Sequence, residues 1–161
     1  MKKNWEKHAV WFGLSAILLL IDQVSKRWAQ EILARQGTMG LLDGIVGFRY
    51  AENTGAAFSS LSGATVLLSV FSLVVCAAVA VYMLRNPRMP VRMKLPLSMI
   101  LAGGLGNAID RICLGYVIDF IELQFVKFAI FNAADIWITS GAALLFIALL
   151  FGGEQSGRMD N

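Results

Sequence analysis

Charged residues in this chain stand at the edges of apolar runs instead of alternating with them, and the runs have the length of helices that cross a bilayer. A hydrocarbon core of ~30 Å takes about 20 apolar residues of helix at ~1.5 Å per residue. Ala64–Leu84 is 21 residues without a charge, and Ile136–Gly153 is another 18. Two further runs stop short: Ala9–Ile21 has 13 residues before Asp22, and Leu95–Ile109 has 15 before Asp110. If these also cross, each carries its aspartate into the membrane near one end. The expected spans are then about 9–26, 64–84, 95–113 and 134–152.

Between the spans the period changes. From Val24, apolar Trp28, Ile32 and Leu33 recur among Lys26, Arg27, Glu31 and Arg35, which predicts a short amphipathic helix lying on the membrane surface. Gly44–Ala51 is β-branched and aromatic between glycines, and Ile121, Leu123 and Phe125 alternate with Glu122 and Gln124. Both segments predict short strands. The expected fold class is an all-α polytopic membrane protein. It has four transmembrane helices, a small extracytoplasmic β platform and a short interfacial helix, in a single membrane domain over 1–161 with outward links at about 27–63 and 114–133.

Composition sharpens this picture. Of 161 residues 57% are hydrophobic and 16% charged, against roughly 25% charged in soluble domains. That excludes a soluble globule, a disordered tail and a disulfide-stapled secreted module. The net charge of +3 comes from 14 Lys and Arg at the borders of apolar runs, without the clustering and aromatic interleaving that nucleic acid requires. Their placement instead reports orientation. Lys2, Lys3 and Lys7 precede the first span, and Arg85, Arg88, Arg92 and Lys94 crowd the second link. Short basic loops stay cytoplasmic, so both termini are expected there. Lys26, Arg27, Arg35 and Arg49 of the first link are diluted and offset by Glu31, Asp43 and Glu52. The lysine-then-apolar start looks like a secretory signal, but Asp22-Gln23-Val24-Ser25-Lys26 follows it instead of a small-x-small site, so the first helix is expected to stay uncleaved.

The candidate chemistry is acidic. With one histidine, His8, the chain has no zinc ligand set or histidine triad, and Cys76 and Cys113 read as small buried hydrophobes. Ionisable residues within spans are expensive and by default functional. The alternation of spans, with a break expected at Gly115 after the third, brings Asp22, Asp110, Asp119 and Asp135 to similar depth, toward the outer leaflet. Two carboxylates sharing a site cannot both ionise cheaply, so one stays neutral and the other charged. The charged one takes a proton from water while the neutral one hydrogen-bonds a carbonyl, which is amide hydrolysis of the aspartic type. Asp110, beside Arg111, reads as a paired structural acid. Asp22, before Ser25 and Lys26, suits a cap or tether of the surface helix. Asp119 and Asp135 lack a basic neighbour within seven residues and are the preferred dyad. Asn132, three residues before Asp135, is expected on the same helix face, and Asn107, Asp110 and Arg111 share another. Asn53-Thr54-Gly55 is a turn signature that would lower an amide into the cleft. Gly103, Gly104 and Gly106 suit helix packing better than phosphate binding, and Trp5, Trp11, Trp28 and Trp137 suit interface anchoring. A proton-coupled transporter is the rival reading, but it needs a polar path to both faces.

Five blocks occur in order: Asp22-Gln23-Val24-Ser25-Lys26, Asn53 to Ser59 (NTGAAFS), Gly103 to Arg111 (GGLGNAIDR), Val117-Ile118-Asp119-Phe120 and Phe131 to Asp135 (FNAAD). Together, over about residues 15–150, they resemble the lipoprotein signal peptidase (signal peptidase II) family of bacterial inner membranes. The resemblance implies an intramembrane aspartic peptidase without a cofactor or metal. Its termini are cytoplasmic and its site lies toward the outer leaflet. It removes the signal peptide just before a diacylglyceryl-modified cysteine of prolipoproteins. It makes Asp119 and Asp135 the catalytic pair, with Asp22, Asn53, Asn107, Asp110, Arg111 and Asn132 supporting or lining the site. It further implies contact with membrane lipid and inhibition by globomycin-type lipopeptides.

Overall fold

The computed structural model describes residues 2–55 and 65–151. The Ala56–Ser59 half of one sequence block and the end of the last expected span therefore lie outside the described residues. Among the described residues four helices are long and apolar enough to cross a membrane: His8–Gln36, Thr65–Arg85, Val91–Leu114 and Ala133–Leu150. In chain order the elements are α1 (Lys2–Trp28), a π-helical turn (Ala29–Leu33), α2 (Ala34–Gln36), β1 (Met39–Leu42), β2 (Val46–Asn53), α3 (Thr65–Arg85), α4 (Val91–Leu114), β3 (Val117–Leu123) and α5 (Ala133–Leu150).

α4 is the centre of the bundle, in contact with α1, α3 and α5. Half of its apolar window is buried, against 11–22% in the other three helices, whose large hydrophobics face outward. The glycines at 103, 104 and 106 explain how one helix serves three neighbours. A Cβ on Gly103 would run into the Ala134 carbonyl oxygen of α5, one on Gly104 would stand 2.6 Å from the Cys76 sulfur of α3, and one on Gly106 would meet the Asp22 carboxylate of α1. In lipid, where apolar burial drives no association, such close backbone approach supplies the dispersion contact that holds helices together.

Gly115 ends α4 in the left-handed region at φ 86°, its N–H bonded to Arg111 O at 3.1 Å. This is a glycine C-cap at the break that the sequence predicts. The chain then enters β3, the edge of an antiparallel β1-β2-β3 sheet in which Ala51 faces Asp119 and Asn53 faces Val117. Both expected strands are present. The second begins earlier than its alternation suggested, because Val117–Phe120 is buried on both faces and so carries no period-2 signal.

Three expectations change. The amphipathic stretch from Val24 is not a separate surface helix. It continues α1 through the π turn to Gln36, and the wider turn rotates Ala29 and Leu33 under the sheet against Ile118 and Phe120. Trp28 is correspondingly part of that packing, edge-on to Phe48 at 5.4 Å, and not simply an interface anchor. Lys26, counted among the charges of the first link, is 1% exposed. Both cysteines are free, with Cys76 buried as expected and Cys113 exposed.

Candidate active site

The site is assembled at the N-terminus of α5. Asn132 is the N-cap, in extended conformation at φ −132°, ψ −177°. Its Oδ1 accepts from the Asp135 N–H at 3.0 Å, and Asp135 Oδ2 accepts from the Asn132 N–H at 3.2 Å, a reciprocal capping box. A further end group of the helix, the Ala134 N–H, donates to Asp22 Oδ1 at 2.8 Å. Asp22 thus reaches across from α1 to the positive end of the α5 dipole, and α5, not a surface helix, is what it caps. Asn132 sits before the helix and does not share a helix face with Asp135, which frees its amide for a second task. Its Nδ2 donates to Asp119 Oδ1 at 2.7 Å. One fully buried asparagine therefore touches both acids of the preferred dyad.

Asp119 projects from β3 and is 3% exposed. Its Oδ2 accepts from Asn53 Nδ2 at 3.1 Å. Asn53 closes β2, and its Oδ1 accepts from the Gly55 N–H at 3.0 Å, the turn that the sequence predicts. Burial, and after it the charge of Asp135, raises the Asp119 pKa to about 7, with the Asn53 and Asn132 hydrogen bonds pulling the other way. Asp135 is half-buried, and its Oδ1 accepts from Asn107 Nδ2 at 2.8 Å. Arg111 donates to Gly55 O at 3.1 Å, and its buried Nε has no partner among the described residues.

Beneath the acids lies a charge cluster between α1 and α4. Lys26 Nζ pairs with Asp22 Oδ2 at 3.0 Å and Asp110 Oδ2 at 2.9 Å, and donates to Asn107 Oδ1 at 2.9 Å. Asp110 is the paired structural acid expected, but its cation is Lys26 and not the adjacent Arg111. On a helix, neighbours i and i+1 point in different directions. Asp110 Oδ2 also accepts from the Ile118 N–H at 3.2 Å, tying β3 to α4 beside Asp119. Gln23 completes the cluster, donating to Asp110 Oδ1 at 3.1 Å. Sequence reasoning passed over Lys26 and Gln23 as site residues. The available signal was spacing: Asp22, Lys26, Ala29 and Leu33 follow i, i+4, i+7, i+11, a single buried stripe.

Asp119, Asp135, Asn53, Asn107 and Arg111 line one cavity of about 450 Å³, whose remaining walls are largely apolar, from Phe128–Phe131 and from Ile136, Thr139 and Ser140 of α5. A larger and more open hollow of about 650 Å³ over Glu122–Ala129 holds neither aspartate. All nine residues singled out from the sequence therefore converge. Asp119, Asp135, Asn53, Asn107 and Arg111 face the cavity, Gly55 holds Asn53 and Arg111, and Asp22, Asp110 and Asn132 stand behind.

Residues 14–151 match the family model described as signal peptidase (SPase) II. The lipoprotein signal peptidases of Streptococcus pyogenes serotype M1 and of serotype M5 (strain Manfredo) are each 42% identical to the chain over 139 residues, covering 86% of it and 91% of the relative. Two solved structures share the fold. A bacterial membrane enzyme determined by the in meso method at 2.3 Å resolution superposes with a TM-score of 0.82 at 27% identity, over 95% of this chain and 93% of the other. A second, at 1.9 Å, gives 0.80 at 28% identity over 89% and 94%.

Proposed function

The chain belongs to the signal peptidase II family, and on that premise we propose that it hydrolyses the peptide bond before the diacylglyceryl-modified cysteine of prolipoproteins, with Asp119 and Asp135 activating water between them. The observation that carries this reading is the pair of carboxylates, one on β3 and one on the first turn of α5, bridged by Asn132 and opening on the same cavity.

With the Asp119 pKa raised to about 7, Asp119 keeps its proton up to the edge of neutrality, and that proton belongs to the pair. The charged carboxylate takes a proton from a water molecule placed between the acids. The oxygen attacks the scissile carbonyl carbon, and the neutral carboxyl donates to the carbonyl oxygen as it gains charge. Collapse of the tetrahedral intermediate breaks the C–N bond and moves a proton to the departing amine. Products are a signal peptide with a new carboxylate and a lipid-bearing cysteine with a free amine. Arg111 stands in the cavity wall as a fixed positive charge for the developing oxyanion. The apolar wall of Ile136 and Phe128–Phe131 suits the signal helix entering sideways from lipid, and a globomycin-type lipopeptide would compete there.

In the membrane, the basic 85–94 segment would lie on the cytoplasmic side of the bacterial inner membrane, with both termini. Asn107 is 13 residues further along α4 than Lys94, about 20 Å of helix, which supports placing the acids toward the outer leaflet. That is the depth of a cysteine whose acyl chains occupy that leaflet.

Purified protein in detergent is incubated with a diacylglyceryl-modified prolipoprotein and with its unmodified precursor. The expected result is a mass loss equal to the signal peptide from the modified substrate alone, abolished in Asp135→Asn. Equal cleavage of both substrates, or cleavage by that variant, would refute the reading.

A further inference from the structure

A lysine ammonium has three N–H donors and no acceptor. Lys26 uses one on each of three atoms: Asp22 Oδ2, Asp110 Oδ2 and Asn107 Oδ1. The Asp110 pair crosses from α1 to α4 and would be enough to tie the two helices, while the Asp22 pair lies within α1, four residues along. The third bond has a different consequence, because Asn107 is an amide whose two ends do opposite things. Whichever end faces an ammonium must be the oxygen, so the NH2 end is turned the other way. That end donates to Asp135 Oδ1 at 2.8 Å. The same Asn107 oxygen accepts from Asn132 Nδ2 at 3.2 Å, and that NH2 group also serves Asp119. A buried cation thereby fixes the sense of Asn107, whose oxygen also takes a donor from Asn132, the amide that serves Asp119.

We propose that Lys26 is a positioning residue for the reaction: through Asn107 it fixes the direction of the hydrogen bond that holds the Asp135 carboxylate, in addition to pairing the buried acids of α1 and α4. The alternative is that Lys26 only neutralises Asp22 and Asp110. The two differ in what a charge-balanced replacement does. Wild type carries two acids and one cation in this cluster, a net charge of −1, and Lys26→Met with Asp110→Asn leaves one acid and the same −1. That double variant keeps the net charge, with Asp22 left to the Ala134 N–H and Gln23, and takes the ammonium from Asn107, whose oxygen then has Asn132 Nδ2 as its remaining donor.

The inference rests on the proposed reading, so the assay includes wild type and Asp135→Asn on the diacylglyceryl prolipoprotein. If wild type fails to cleave, or Asp135→Asn cleaves, the reading itself has failed, whatever Lys26 does. With those controls in place, Lys26→Met and the double variant are purified in detergent and compared by thermal unfolding, kcat and KM. Misplacement of a reacting group by about 1 Å costs roughly 100-fold. Lys26→Met is expected to lose stability as well as rate. The double variant is expected to unfold within a few degrees of wild type, with KM unchanged and kcat lower by roughly 10–100-fold. Wild-type kcat in the folded double variant would overturn the proposal in favour of simple neutralisation. Failure of both variants to fold would overturn it in favour of a purely structural tie.

Discussion

Asp119→Asn should make this protein more stable above neutral pH while ending its catalysis. The wild-type carboxyl titrates at about 7 when folded, against 3.8 for a free side chain. An acid whose pKa is raised by folding binds more protons folded than unfolded, so stability falls as pH rises between the two values. Below about pH 4 there is no penalty. Above about pH 7 it is complete, and roughly 3 pKa units correspond to about 4 kcal/mol. The asparagine does not titrate and escapes that penalty. It does not escape all cost, because Asp119 accepts from both Asn53 Nδ2 and Asn132 Nδ2. Neither amide can flip, since the Asn53 oxygen holds the Gly55 N–H and the Asn132 oxygen holds the Asp135 N–H. The new NH2 therefore faces a donor, at about 1–3 kcal/mol. The variant should be less stable than wild type near pH 4 and more stable near pH 8, by about 1–3 kcal/mol in each direction. Thermal unfolding of the two proteins in the same detergent, across that range, measures this. The quantity that matters is the difference in midpoint, which must rise with pH and change sign. A pH-independent difference would show that Asp119 does not titrate in this window when folded, and the shared-proton argument would fall with it.

Three further outcomes are expected. Cleavage by wild type should decline as pH rises through about 7, where the pair loses its shared proton; a kcat/KM still level near pH 9 would reject this. Gly103→Ala places a methyl against the Ala134 carbonyl and pushes α5, with Asp135 on its first turn, away from α4. It should cost about 1–3 kcal/mol and most of the activity, whereas Gly13→Ala, with nothing within 4 Å, should be neutral in both unfolding and activity measurements. The carboxylate oxygens of the dyad are engaged by amide and backbone N–H groups, so EDTA should leave the rate unchanged. A rate lost on chelation and restored by zinc would turn the acids into metal ligands.

How much of this was legible beforehand depended on the range of the interaction concerned. Local chemistry was readable from the chain. Helix length follows from the number of apolar residues between charges, which is why four helices long and apolar enough to cross a membrane lie within a few residues of the expected runs at most ends. Gly115 as a break and Asn53-Thr54-Gly55 as a turn follow from backbone preferences of single residues. Asp119 and Asp135 stood out because no neighbouring cation accounted for them. What the sequence could not say was which partner each polar group would choose, since those bonds join residues far apart along the chain. Asp110 was matched to Arg111, its neighbour in sequence, whereas its cation is Lys26, on another helix. Asp22 was assigned to its own segment, where it does pair with Lys26, but it also caps α5, 112 residues away. Lys26 was counted with the charges of the first link, and the close approach of α4, with Gly106 against Asp22 and Asp110 and Asn107 on Lys26 itself, buries it. A short π turn has no clear propensity signature, and a close approach depends on two surfaces at once. The sequence determined the spans and the acids. Tertiary packing decided which donor each acid faces, because a buried N–H is paired wherever an acceptor reaches it, and the nearest acceptor in space is seldom the nearest along the chain.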